Sequence, residues 1–219
     1  MTGEVLDVTL FSVAMATSAT IVMLPPGVAL AWLLARHSFP GRSVLESLVS
    51  LPLVLPPVAT GLILLHLLGR RGPLGGVLEW MGIEVVFTWK AVVVAMAVVG
   101  LPLLVRSTRA GFEQVDRRYE QIAATLGASP IRVFFTISLP LARRGMLAGA
   151  VLGFSRALGE FGATIMIAGA LPSTRTLSTA IYSYTQTGRD GAATALLVAA
   201  ATMAFVAIYV SNRLTDSGP

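Results

Sequence analysis

The sequence predicts an all-α, polytopic membrane protein: five transmembrane helices and one amphipathic loop on the cytoplasmic side. Three observations carry that prediction. Apolar residues make up 55% of the 219 residues against 12% charged, and mean hydropathy is +0.78, which leaves too little polar surface for a water-facing shell. Five apolar runs, at roughly 8–35, 44–68, 88–106, 144–170 and 192–212, meet the requirement of about 20 residues for a helical crossing. Between the third and fourth runs lies an island, Asp116 to Pro140, that is first charged and then amphipathic.

The first run follows MTGEVLDV, which has no basic n-region and no small-residue cleavage site, so it is expected to stay as a span. Pro25-Pro26 should kink it, and Pro52, Pro56-Pro57 and Pro102 should interrupt the next two runs, because proline removes a helical hydrogen bond. Broken spans need neighbouring protein or a wet cavity to satisfy the freed carbonyls. His66 and Lys90 read as snorkelling or interface residues, and Trp32, Trp80 and Trp89 as interfacial belts. The fourth run holds Arg156 and Glu160, four residues apart and so expected on one helix face. Charges inside a bilayer cost about 2.5–3.5 kcal/mol each on insertion scales. The pair is either a brace between helices or, with Thr164, part of a pathway lining. Around it, Gly149-x-x-x-Gly153, Gly159, Gly162 and Ala163 fit either packing within the chain or a homodimer seam. The fifth run closes a single membrane domain spanning 1–219.

Arginine and lysine set the orientation. With the loop inside and five spans, the N-terminus lies outside and the C-terminus inside. The inner segments then hold ten basic residues and the outer ones five, as the positive-inside rule requires.

The island itself is built to dock. Asp116 can cap a helix on which Tyr119, Ile122, Ala123 and Leu126 share an apolar face, with Arg117, Arg118, Glu120 and Gln121 off it. Gly127 suits the left-handed position that ends such a helix, and Ser129-Pro130 reads as the cap and first residue of a second. Pro130, Val133, Phe134 and Ile137 repeat the spacing. An amphipathic helix lying on anionic lipid is the plainer alternative, but it has no need of a glycine hinge at its centre.

Several function classes drop out. The sequence has no phosphate-binding loop, nucleophile elbow or zinc-protease motif, so ATP hydrolysis by this chain is not expected, nor a cofactor. Without cysteine and with two scattered histidines it offers no metal site. The formal charge of +5 sits at the edges of apolar runs and forms no nucleic-acid stripe.

The loop also carries a family resemblance. The pattern Glu-Ala-Ala-x3-Gly-x9-Ile-x-Leu-Pro marks the cytoplasmic coupling loop of permease subunits in ATP-driven (ABC) importers. Here Gly127, Ile137, Leu139 and Pro140 match it. Gln121-Ile122-Ala123 stands in place of Glu-Ala-Ala, with Glu120 beside it as the acidic group. The string TLGASPIRVFFTISLP, with LPLVLPP at 51–57, GRRG at 69–72, LGEFGAT at 158–164 and RTLSTAIY at 175–182, resembles the molybdate permease family. The resemblance implies a type I importer permease with its coupling loop at about 111–143. Its ATPase contacts would be made by Glu120, Gln121, Ala123, Leu126, Gly127, Ala128, Ser129, Ile137, Leu139 and Pro140. It further implies a homodimer, two ATPase subunits, an extracytoplasmic oxyanion-binding protein, and molybdate or tungstate as cargo. Sulfate or thiosulfate permeases are the near alternative; a secondary transporter driven by an ion gradient is the rival of another class, against which stands the lack of an internal repeat.

Overall fold

The computed structural model of the chain describes residues 2–216. Among them the regular structure is helical: α1 (Thr2–Arg36), α2 (Arg42–Val54), α3 (Pro57–Leu68), α4 (Gly75–Trp80), α5 (Trp89–Gln114), α6 (Arg117–Thr125), α7 (Pro130–Leu141), α8 (Arg143–Leu158), α9 (Gly162–Ala168), α10 (Leu177–Gln186) and α11 (Asp190–Asp216). Three of these, α1, α5 and α11, are long and apolar enough to cross a membrane, and two bent pairs, α2 with α3 and α8 with α9, bring the total to five spans if each pair is one.

Helix α5 is the axis of the fold. Val92, Met96, Val99, Leu104 and Phe112 on it are fully buried, with α1 on one side and α8 on another. Small residues allow the α5–α8 approach. A Cβ on Gly149 would stand 2.8 Å from the Leu104 carbonyl oxygen, and one on Gly153 would reach 2.5 Å from Met23 of α1. Both glycines of the Gly149-x-x-x-Gly153 motif are thus used up in packing within the chain. Outside this centre the surface is apolar: Leu197, Val198, Phe205, Val206 and Ile208 of α11 are all more than half exposed, the inverse of a soluble domain.

The prolines act differently from expectation at Pro52 and Pro102, where α2 and α5 run on without interruption; α1 likewise continues as one helix through Pro25-Pro26. Pro102 is buried, and the neighbours that cover it keep its one missing bond away from solvent and lipid alike. Pro56-Pro57 does break the second run, where α2 and α3 meet at 116°. The fourth run is also broken, by 62° at Gly159-Glu160-Phe161, although no proline stands there. The two breaks support each other. A Cβ on Gly61 of α3 would lie 2.7 Å from the Ala163 backbone, and one on Gly162 would lie 2.7 Å from Pro57, so the half-helices α3 and α9 pack backbone to backbone.

Candidate functional site

The loop between α5 and α8 has the predicted chemistry at each corner. Asp116 caps α6, its carboxylate accepting from the Arg118 amide at 2.9 Å. Gly127 sits at φ +83°; its amide donates to the Ala124 carbonyl and that of Ala128 to Ala123, the paired bonds of a Schellman ending. Ser129 caps α7 by accepting from Arg132 N, with Pro130 first in the helix. The second helix is less regular than its spacing suggests, since Phe134–Ser138 form a π turn in which Leu139 N donates to Phe134 O. Pro140 explains it. Its ring collides with a carbonyl four residues back and it has no N–H to give, so the turn widens ahead of it.

The orientation of α6 is the informative part. An ordinary amphipathic helix buries its apolar face, but Tyr119, Ile122 and Leu126 are 57%, 58% and 82% exposed. With Ala123, Thr136, Ile137, Pro140 and Leu141 they line a groove of about 610 Å³. Its lining is nearly all apolar, so it is a surface made to be covered. Gln121 and Thr125 are exposed beside it, and Leu139 is turned from the groove toward the buried cluster of α1, α5 and the loop.

The opposite face of α6 fastens Glu120 and Arg117 to the protein. The Arg36 guanidinium, 7% exposed at the end of α1, donates from Nε to Glu120 Oε1 at 3.0 Å and approaches the same oxygen through Nη2 at 2.9 Å. Ser138 Oγ of the π turn donates to that oxygen at 2.7 Å. Arg36 Nη2 also donates to the Val115 carbonyl at the end of α5, and Arg117 returns a bond to the Ala35 carbonyl. Beside this network Phe134 packs edge-on to Trp32 at 5.4 Å and near Phe112 at 6.2 Å. Arg36 and Ser138 are contributors that the sequence reading did not single out, and Phe134 entered it only through its helical spacing. Arg36 is 84 residues from Glu120, and no local spacing signals such a contact.

Glu160 occupies the break in the fourth run and not a continuous helix face with Arg156. It is 1% exposed. One carboxylate oxygen accepts from Arg156 Nη1 at 2.8 Å and the other from the Ala163 amide at 2.7 Å, so Glu160 both pairs with α8 and satisfies a free N–H at the start of α9. Thr164, beside it, is fully buried and its hydroxyl has no partner.

A match to the family described as the inner membrane component of binding-protein-dependent transport systems covers residues 27–216. The chain belongs to this family. Among its relatives, the molybdenum transport system permease protein ModB of Escherichia coli K12 is 46% identical over 94% of this chain and 91% of its own length. ModB of Haemophilus influenzae is 44% identical over 93% and 90%, and the putative molybdenum permease YvgM of Bacillus subtilis is 41% identical over 91% and 88%. The fold matches a chain of the MetNI methionine ABC transporter with a TM-score of 0.71 at 14% identity, covering 98% of this chain and 95% of that one. A bacterial alginate ABC transporter matches at 0.70 and 17%, covering 98% and 80%. This inner membrane component is therefore a multi-pass membrane protein with the fold of a type I ABC permease, and its 116–140 loop, with the outward groove, lies inside the family match.

Proposed function

We propose that the chain is the permease subunit of an ATP-driven importer for molybdate or a like tetrahedral dianion such as tungstate. It works as a homodimer in lipid, beneath an extracytoplasmic oxyanion-binding protein, with two ATPase subunits docked on its coupling loops. The single observation that carries the coupling part is that α6 turns its apolar face outward and fastens itself to the protein through Glu120 and Arg117. The cargo part is supported by relatives that bear the molybdenum name at 41–46% identity. Tyr119, Ile122, Ala123, Leu126, Ile137 and Pro140 are the surface an ATPase subunit would cover, while Gly127, Ala128 and Ser129 fix the angle between the two helices. Hydrolysis is the partner's; this chain converts its motion into a change of access. Glu160 would repel a dianion in the path, and both its oxygens are engaged, so the Arg156–Glu160 pair is assigned to bracing α8 against α9.

The test is co-expression with the ATPase subunit and reconstitution with the binding protein. Wild type should retain the ATPase through purification and take up molybdate in an ATP-dependent way. Leu126→Asp, which places a charge in the groove, should lower the recovered ATPase about tenfold, on the order of a desolvated charge at an interface. Uptake blocked by sulfate better than by tungstate would assign the cargo to the sulfate class instead.

Orientation has its own test, because the chain has no cysteine. Single cysteines at Gly3 and Arg118 should react with an impermeant thiol reagent from opposite faces of the membrane, N-terminus outside and loop inside. Labelling of both from one face would overturn the proposed topology.

A further inference from the structure

We propose that Arg36 is a positioning residue for energy coupling: through Glu120 it fastens the docking helix to the ends of α1 and α5, so that force on the loop moves the spans. The proposal rests on the reading of this loop as the ATPase contact. Helix α6 presents two faces at helical spacing. One, through Tyr119, Ile122, Ala123 and Leu126, lines the groove; the other, through Arg117, Glu120 and Ala124, faces the end of α1. Load applied to the first face must leave through the second.

Apolar packing alone would let that face slide. The contact of Phe134 with Trp32 and Phe112 resists separation but has little directional preference, whereas a charged hydrogen-bonded pair fixes direction and distance. Here the fixing is redundant. Glu120 Oε1 receives Arg36 from α1 and Ser138 from the second half of the loop, while the same guanidinium holds the last carbonyl before the loop, that of Val115. Arg117 pulls the other way, from α6 onto Ala35. The Arg36 side chain, which water barely reaches, thus ties α1 to α6 and to the end of α5, and Ser138 joins the second half of the loop to the same Glu120 oxygen. Only a planar, several-donor cation can serve Glu120 and Val115 together; a lysine ammonium is a single point and would have to give up one.

The experiment uses the whole complex of permease, ATPase subunit and loaded binding protein in lipid nanodiscs. Arg36→Lys keeps the charge at that site, and Ser138→Ala removes one donor while keeping the ion pair, so neither depends on tolerating a buried unpaired carboxylate. In both, the ATPase subunit should co-purify at the wild-type ratio, because neither residue lines the groove. Stimulation of hydrolysis by loaded binding protein should fall, by about five- to tenfold for Arg36→Lys and less for Ser138→Ala, within the usual range for couplings between sites. Glu120→Gln added to Arg36→Lys should lower it little further, as expected when both act through one contact. Wild-type stimulation in Arg36→Lys, or losses that simply multiply in the double variant, would overturn the proposal. If Leu126→Asp still holds the ATPase, the docking reading itself fails; if Leu126→Asp releases it and Arg36→Lys stimulates normally, only the positioning role fails.

Discussion

Glu160→Ala should yield a protein that fails to assemble or unfolds at markedly lower temperature. It removes the partner of a guanidinium inside the fourth span and the acceptor for the Ala163 amide at once. Leaving one member of a buried pair uncompensated costs about 3–5 kcal/mol, and an orphaned amide adds about 1–3 kcal/mol. Arg156→Ala should do comparable damage, because it leaves the Glu160 carboxylate, 1% exposed, without its countercharge, although the Ala163 bond survives. Glu160→Gln, which can still accept from Ala163 and leaves only the partly exposed Arg156 without its countercharge, should be the mildest. Thermal unfolding followed by size-exclusion in detergent ranks the three. If all of them elute and melt like wild type yet lose uptake, the brace is wrong and Glu160 belongs to the pathway.

At Gly127 the expected damage is to coupling, with folding left intact. A Cβ there would meet nothing within 4 Å, so substitution brings no clash, only the strain of a side chain at φ +83°, about 1–2 kcal/mol. That is small against the buried α1–α5–α8 centre, and the permease should express and elute normally. The strain is relieved by relaxing the Schellman turn, which changes the angle between α6 and α7 and opens the groove they share. Gly127→Val, β-branched and intolerant of the left-handed region, should lose most of the stimulated hydrolysis and weaken ATPase recovery. Gly127→Asn, which accepts that region readily, should retain most of both. Comparing the two in one reconstituted ATPase assay separates backbone angle from added bulk; equal and normal activity would remove Gly127 from the coupling machinery.

Much of this was legible in the sequence because membrane folds advertise themselves by length and hydropathy, and because caps are local. Asp116, Gly127 and Ser129 behave as their chemistry dictates within a few residues. Proline was a poorer guide. Its effect depends on what lies beside the missing bond, so Pro102 sits in an unbroken helix while a break opens at Gly159-Glu160-Phe161 without any proline. The short helices α4 and α10 were not anticipated, since a few apolar residues between spans carry no clear period. The apolar face of α6 was visible but its direction was not: periodicity finds a stripe and says nothing about whether it turns to the core or to water. Arg36 and Glu120 meet only through tertiary structure, and reading each at its own position gave a charge at a span end and a charge on a loop.

The paired breaks bear on how the protein is made. Helix α3 has 12 residues and α9 seven, each short of the roughly 20 that a crossing needs, and backbone groups at each bend are sheltered where Gly61 meets Ala163. Neither broken span is a finished insertion unit. The second leaves the ribosome about a hundred residues before its support is synthesised, and until then its bend has to be shielded by lipid headgroups or by the insertion machinery. The second span is therefore expected to reach its final packing only after the fourth has been made. A chain halted after the loop, near residue 140, should be held at the translocon and cleared as incomplete, even though three of its spans have already been made.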